Sequence, residues 1–192
     1  MNVDVPYSYT YEVDPEFPGN GDWGCPVVGY DATGEPSSTF DSHWGAPFVV
    51  RLSPSEGQMW VAMLPGGGLG RLREAFTTLV PYLFGVVVDG RVYLLDVRSP
   101  GASAQIVRDP VEQVVTVTDP PLLLFVGYAD IVALGPAGIA WRTPRLCLDD
   151  LRVLEAGSAG IVCSCTNLAS TASITLDPVT GEQLDGPRWD SF

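Results

Sequence analysis

The sequence predicts a mainly β fold: a sandwich, barrel or propeller-like stack of short antiparallel strands, with one short helix near residues 69–80. Three observations carry this expectation. The chain opens on strict period-two alternation. From Ala46 onward it becomes a train of short apolar runs, broken by Gly, Pro, Asp and Ser at intervals of roughly ten residues. An Asp-Gly pair sits between two of those runs. A hydrophobic content of 46% over 192 residues is enough for a real core. One β-rich domain over 1–192 is therefore expected, with an edge strand at 1–14, an acidic loop-rich segment at 15–46 and a β core at 47–186.

In chain order, Val3, Val5, Tyr7, Tyr9, Tyr11 and Val13 alternate with Asn2, Asp4, Ser8, Thr10, Glu12 and Asp14. One face of this strand is predicted to be buried, through Val5, Tyr7, Tyr9 and Tyr11, and the other wet. Pro6 has no N–H to give a neighbour, which places the strand at a sheet edge. Residues 15–46 are rich in Gly and Pro and read as loop. The apolar runs that follow are Phe48–Leu52, Met59–Leu64, Leu83–Val88, Val92–Val97, Gln105–Val107, Val114–Val117, Leu122–Val126, Ile131–Leu134, Ile139–Trp141, Leu151–Leu154, Ile161–Cys163 and Ile174–Leu176. Asp89-Gly90 between two of them predicts a type I′ hairpin turn, which needs positive φ at both positions. The helix is predicted because Leu69, Leu72, Phe76, Leu79 and Val80 fall on one helical face, with Pro81 as its stop.

Leu95-Asp96 with Ser99 and Gly101 echoes Leu176-Asp177 with Thr180 and Gly181, at an offset of 81 positions for the Leu-Asp pairs. The stretch SITLDPVTGEQLDG (173–186) resembles the outer-strand hairpin of propeller repeats such as those of quinoprotein-type propellers. It has no Trp-Asp or kelch signature and no third copy, and Asp-x-x-Thr-Gly is read here as an ordinary hairpin turn.

Composition excludes several chemistries. The chain has no lysine and one histidine, His43. A Schiff-base enzyme, a phosphate-loop nucleotide hydrolase and a protein kinase each need a lysine, and a three-histidine zinc site needs three histidines. Four cysteines in a chain of this length do not make a disulfide scaffold. The start has neither a basic n-region nor an apolar h-region, and the longest apolar stretch, 120–134, is interrupted by Asp130. A cytoplasmic location is expected, with no cofactor, metal, nucleic acid or membrane partner.

Charge is the most asymmetric feature. Ten arginines face 23 acids, for a net charge of −13, and the first fifty residues hold eight acids and no arginine. Such a field repels nucleic acid and attracts basic partners. Aromatic residues beside carboxylates suit an interface that receives cationic side chains. Asp22, Trp23, Asp31, Glu35, Asp41 and Trp44 are therefore the expected binding residues. The partner is expected to be a basic protein, with a bacterial immunity or inhibitor protein as one concrete form of the function.

The alternative is an enzyme or small-anion binder. Gly66, Gly67, Gly68, Gly70 and Arg71 lie between a predicted strand and the predicted helix, where N–H groups at a helix N-terminus would hold an anion. The run matches neither GxxxxGK[ST] nor GxGxxG. His43 follows Asp41 and Ser42, but no GxSxG elbow or catalytic-cysteine signature accompanies it. Cys163 and Cys165 project to one face of a strand and read as small core residues rather than zinc ligands. Asp149-Asp150 sits in a turn near Arg145 and Arg152, which suits local ion pairing. On the binding reading, His43→Ala leaves biological activity within a few-fold of the parent. A loss on the order of 10²-fold, the scale of a general acid or base, identifies an enzyme instead.

Overall fold

A computed structural model describes residues 8–38, 46–66, 69–167 and 170–188. The chain divides into two compact units, Met1–Asp109 and Pro110–Phe192. Among the described residues all regular structure is strand, and each unit pairs two sheets around one apolar core in a sandwich-like arrangement.

In the first unit, β1 (Tyr9–Val13), β2 (Val27–Tyr30), β3 (Pro36–Ser37), β4 (Phe48–Pro54) and β5 (Trp60–Leu64) form one sheet in the order β1-β4-β5-β2-β3. β6 (Glu74–Thr77), β7 (Leu83–Val88), β8 (Arg91–Asp96) and β9 (Gln105–Arg108) form a second, paired in chain order. The second unit holds two such up-and-down meanders. One comprises β10 (Gln113–Val117), β11 (Leu122–Val126), β12 (Ile131–Gly135) and β13 (Gly138–Arg142). The other comprises β14 (Asp149–Gly157), β15 (Gly160–Asn167), β16 (Ser170–Leu176) and β17 (Gln183–Asp185). Every apolar run named from the sequence falls on one of these strands, with Met59 and Val97 one residue beyond β5 and β8. The β7–β8 hairpin turns at Asp89 (φ 49°) and Gly90 (φ 85°), the two positive angles a type I′ turn needs.

The segment read as loop at 15–46 contains two strands. β1 and β5 are both antiparallel to β4, and β2 runs parallel to β5 with Val28 opposite Ala62. β1 and β2 thus point the same way, and a parallel relation requires a crossover longer than a tight turn. Residues 14–26 are that crossover.

β1 lies at the edge of its sheet, the position expected from Pro6, which itself lies outside the described residues. Tyr9 is buried, whereas Tyr11 is 39% exposed, with its ring 4.9 Å from that of Phe84. The buried face therefore fades toward the strand's end, because an edge strand is covered from one side only. Val5 and Tyr7 lie outside the described residues.

The helix near 69–80 is not present. Glu74–Thr77 pair with β7 instead, and the ring of Phe76 occupies the space above Gly85 that any side chain there would fill. Leu69 is 83% exposed, so the apolar helical stripe has nothing to pack on. Thr78 adds a local competitor: its hydroxyl accepts from the Val80 N–H at 3.1 Å and lies 3.0 Å from Val80 O and 2.9 Å from Leu83 O, bending the chain where a helix would continue. Nucleating a short helix costs more than it returns when a strand partner is at hand.

The two units share an internal arrangement. In the first, the buried Trp60 indole N–H on β5 donates to the carbonyl of Val97, just past β8 (2.9 Å). In the second, the Trp141 indole N–H on β13 donates to the carbonyl of Pro178, just past β16 (3.0 Å). Donors and acceptors are both related by 81 positions, the offset of the Leu-Asp echo. Asp96 and Asp177, at the ends of β8 and β16, each accept from the N–H two residues on (3.0 and 2.7 Å). The echo thus marks equivalent Asx turns between the third and fourth strands of two meanders. Gly181, at φ +73°, fits against Trp141, whose ring would lie 2.6 Å from an added Cβ.

Trp60→Phe and Trp141→Phe each leave a carbonyl without its indole donor and are expected to lower unfolding free energy by about 1–3 kcal/mol. Gly181→Ala is expected to destabilise as well, through both its backbone angle and the tryptophan ring. Unchanged urea midpoints in all three variants would show that the sheets do not depend on these docks.

Candidate functional site

The predicted acidic surface belongs to the first unit, and the fold separates its carboxylates into two kinds. Asp31 closes the β2–β3 turn: its Oδ1 accepts from the Thr33 hydroxyl (2.6 Å), the Thr33 N–H (2.7 Å) and the Glu35 N–H (3.1 Å). The Thr33 hydroxyl, helped by backbone N–H groups, holds the Asp31 carboxyl below the usual carboxylate range. Glu35 accepts from the Ser103 hydroxyl at 2.7 Å while remaining exposed. Asp22 is exposed and accepts the Gly24 N–H within its own turn (2.9 Å). Asp14 and Glu16, at the start of the crossover, are exposed too.

Trp23 is half-buried and meets Phe17 edge-on, with ring centres 5.4 Å apart. The Arg51 guanidinium stands 5.6 Å from the Trp23 ring and pairs with Glu12 at 2.9 Å. The absence of arginine from the first fifty residues therefore overstates the bare charge, because Arg51 of β4 offsets Glu12. Arg91 of β8 likewise donates to Ala32 O (3.0 Å) and pairs with Asp109 (2.7 Å). Phe17 is 64% exposed, close in sequence to Asp14, Glu16 and Asp22. Asp41 and Trp44, with His43, lie outside the described residues.

The helix expected to follow the glycine run is absent. Gly66 is buried, and the Gly70 N–H donates to Asp89 O (3.1 Å). β6 rather than a helix follows, so no helix N-terminus exists to aim N–H groups at an anion. Arg71 is exposed, while Arg73 contacts Asp89 (3.7 Å) and Ala46 O (3.1 Å). Gly67 and Gly68 lie outside the described residues.

One feature went unread in the sequence. A groove of about 620 Å³ in the second unit is lined by Arg142, Arg145, Arg188, Thr180, Glu182 and Gln183, over Pro144 and Leu146. Residues 110–192 contain ten acids and four arginines, yet three of those arginines and one acid line this groove. Its signal was dispersed along the chain, because Arg188 reaches the other two only when β16 and β17 fold back.

Cys147, Cys163 and Cys165 are buried in the core of the second unit, and burial pushes the first two thiols up to about 12. They pack as core residues. Among the described residues no cluster of three His, Cys, Asp or Glu side chains is placed to hold a metal. Comparison with protein-family models and with curated proteins finds no match.

Thiol reagents at neutral pH are expected to modify the half-buried Cys25 and to reach the three core cysteines only on unfolding. The raised thiols also set a pH dependence. Above about 9 the unfolded thiols lose protons that the folded ones keep until about 12. Stability is accordingly expected to fall as pH rises through that window. A flat urea midpoint across it, or rapid labelling of all four cysteines in the folded state, would contradict the burial.

Proposed function

We propose that this protein is a non-enzymatic binding module, cytoplasmic, whose acidic first unit engages a basic protein. An immunity or inhibitor protein facing a basic toxin is the concrete form we favour. One observation carries the reading: Asp14, Glu16 and Asp22 are exposed in the crossover that holds the exposed Phe17, and Glu35 is exposed in the β2–β3 turn of the same sheet. A large exposed aromatic side chain among carboxylates matches the centre and rim of an interface for Arg- and Lys-bearing surfaces. Loops held on a rigid sheet are where binding residues concentrate. Trp23 and Asp31 contribute by shaping this surface, Trp23 through its edge-on contact with Phe17 and its contact with Arg51, and Asp31 through its turn.

Complementary charge acts mainly on association rate and its salt dependence. The variant Asp14→Asn, Glu16→Gln, Asp22→Asn, Glu35→Gln is expected to associate more slowly with a basic partner captured from the native host, with a flatter dependence on ionic strength. Its thermal midpoint should barely move, since exposed substitutions stay within about ±0.5 kcal/mol each. A control that neutralises Asp149, Asp150, Glu155 and Asp185 removes the same charge from the second unit. Equal slowing in both variants reduces the effect to net charge, and unchanged kinetics in the first removes the acidic surface from function.

A further inference from the structure

We propose that the outer edge of β1 takes up an extended basic segment of a partner protein as an added strand. The proposal rests on the acidic-surface reading above, from which it takes the partner's charge. β1 ends its sheet, with β4 on one side and, among the described residues, no strand on the other. The Asp14 N–H donates to Val49 O (2.9 Å) and the Ser55 N–H to Ser8 O (2.6 Å). Such bonds alternate along an antiparallel ladder, so Thr10 and Glu12 also turn their N–H and C=O groups toward β4. Tyr11 and Val13 turn theirs outward, where a new strand can meet them.

Other edges in the fold are blunted. β3 is two residues long and begins with Pro36. β9, β13, β14 and β17 each carry an extra residue where the register shifts against the neighbouring strand. Bulges of this kind twist an edge out of line and discourage pairing. β14 is also capped by a side chain: Gln113 donates to Val153 O (3.1 Å) and accepts the Val153 N–H (3.0 Å). β1 has no such device between Tyr9 and Val13, and its five residues pair with β4 in unbroken register.

The surroundings specify the incoming strand. Tyr11 and Val13 share the face of the buried Tyr9 yet are 39% and 38% exposed, and the Tyr11 ring lies against Phe84. The apolar layer is thus unfinished at this flank. Opposed residues of a strand pair share a face, so partner residues set against Tyr11 and Val13 extend that layer when they are apolar. The residues between them share the face of Thr10 and Glu12. Glu12 is paired with Arg51, and Asp14 and Glu16 follow it in the chain, both exposed. Arg or Lys suits those alternate positions. The occupant is therefore an extended segment that alternates apolar and basic residues. A second copy of this chain is disfavoured, because it would set these acids against one another between molecules of net charge −13.

The test titrates the full chain with a short capped peptide of alternating valine and arginine, and follows amide hydrogen exchange in the complex. Saturable binding is expected, with the Tyr11 and Val13 amides protected only when peptide is present. Two further peptides keep sequence and charge and differ in where the backbone is N-methylated. Methylation at the valines removes the N–H groups that face β1 and is expected to weaken binding about tenfold or more. Methylation at the arginines, whose N–H groups face solvent, is expected to leave it within a few-fold. Val13→Pro removes an outward N–H without breaking a bond to β4 and should weaken binding similarly at a nearly unchanged thermal midpoint; the peptide arms do not depend on that variant folding.

No binding of the parent peptide, equal binding of the two methylated peptides, or unprotected Tyr11 and Val13 amides in the complex overturns the strand addition. The acidic surface is judged apart from it, by the variant that neutralises Asp14, Glu16, Asp22 and Glu35. If that variant binds the peptide as the parent does, with the same two amides protected, the edge stands and the acidic surface falls.

Discussion

Two indole N–H groups organise this molecule. Trp60 and Trp141 each leave one sheet and donate to a carbonyl just beyond the third strand of the other sheet in the same unit. A buried indole needs a partner for its N–H, and a buried carbonyl needs a donor. Each bond meets both needs, while the ring fills the space between the sheets. The acceptor lies next to an Asx turn in both cases, so its position is set by local hydrogen bonds before the tryptophan arrives. The recurrence at 81 positions makes the two units variations on one arrangement, in which a meander receives a tryptophan from the sheet before it.

That shared frame lets the surfaces differ. In the first unit the turn after β8 carries Arg98, paired with Asp96 at 2.7 Å and stacked on Tyr82 at 3.7 Å. In the second, the corresponding aspartate is taken up by backbone N–H groups, and the arginines lie instead along β13, the segment after it and the chain beyond β17. The sheet order differs as well. The first unit inserts β2 between β5 and β3 through a crossover, and that crossover carries Phe17, Trp23 and the exposed acids. A departure from the simple meander thus coincides with the exposed acids of the first unit, while in the second unit Arg142, Arg145 and Arg188 line one groove.

Much of the fold was legible because β structure with one buried face writes a short-range pattern. Each apolar run from Phe48 onward coincides with a strand to within one residue, and Asp89-Gly90 is a turn that two-residue chemistry dictates. β2 was hidden because its four residues include Gly29 and its partner lies more than thirty positions away. The 69–80 stretch misled for the converse reason. Its apolar spacing fits a helix, but Phe76 gains more by covering Gly85 than a helical stripe gains by facing solvent. Of the site, the acidity of the first fifty residues was plain. Its partial neutralisation by Arg51 and the gathering of Arg142, Arg145 and Arg188 were not.

By itself, the sequence determined the strand-rich class, most strand positions, the hairpin at Asp89-Gly90, the repeated Leu-Asp turn and the excess of negative charge. These follow from periodicity, backbone preference and counting, which act over a few residues or over none. The tertiary structure alone decided which strands pair, where the two tryptophans dock, which carboxylates are tied into turns and which stand exposed, and that three distant arginines share one groove. Those outcomes depend on contacts between residues tens of positions apart, and such contacts leave no local mark in the chain because their energy appears only once the backbone has brought the partners together.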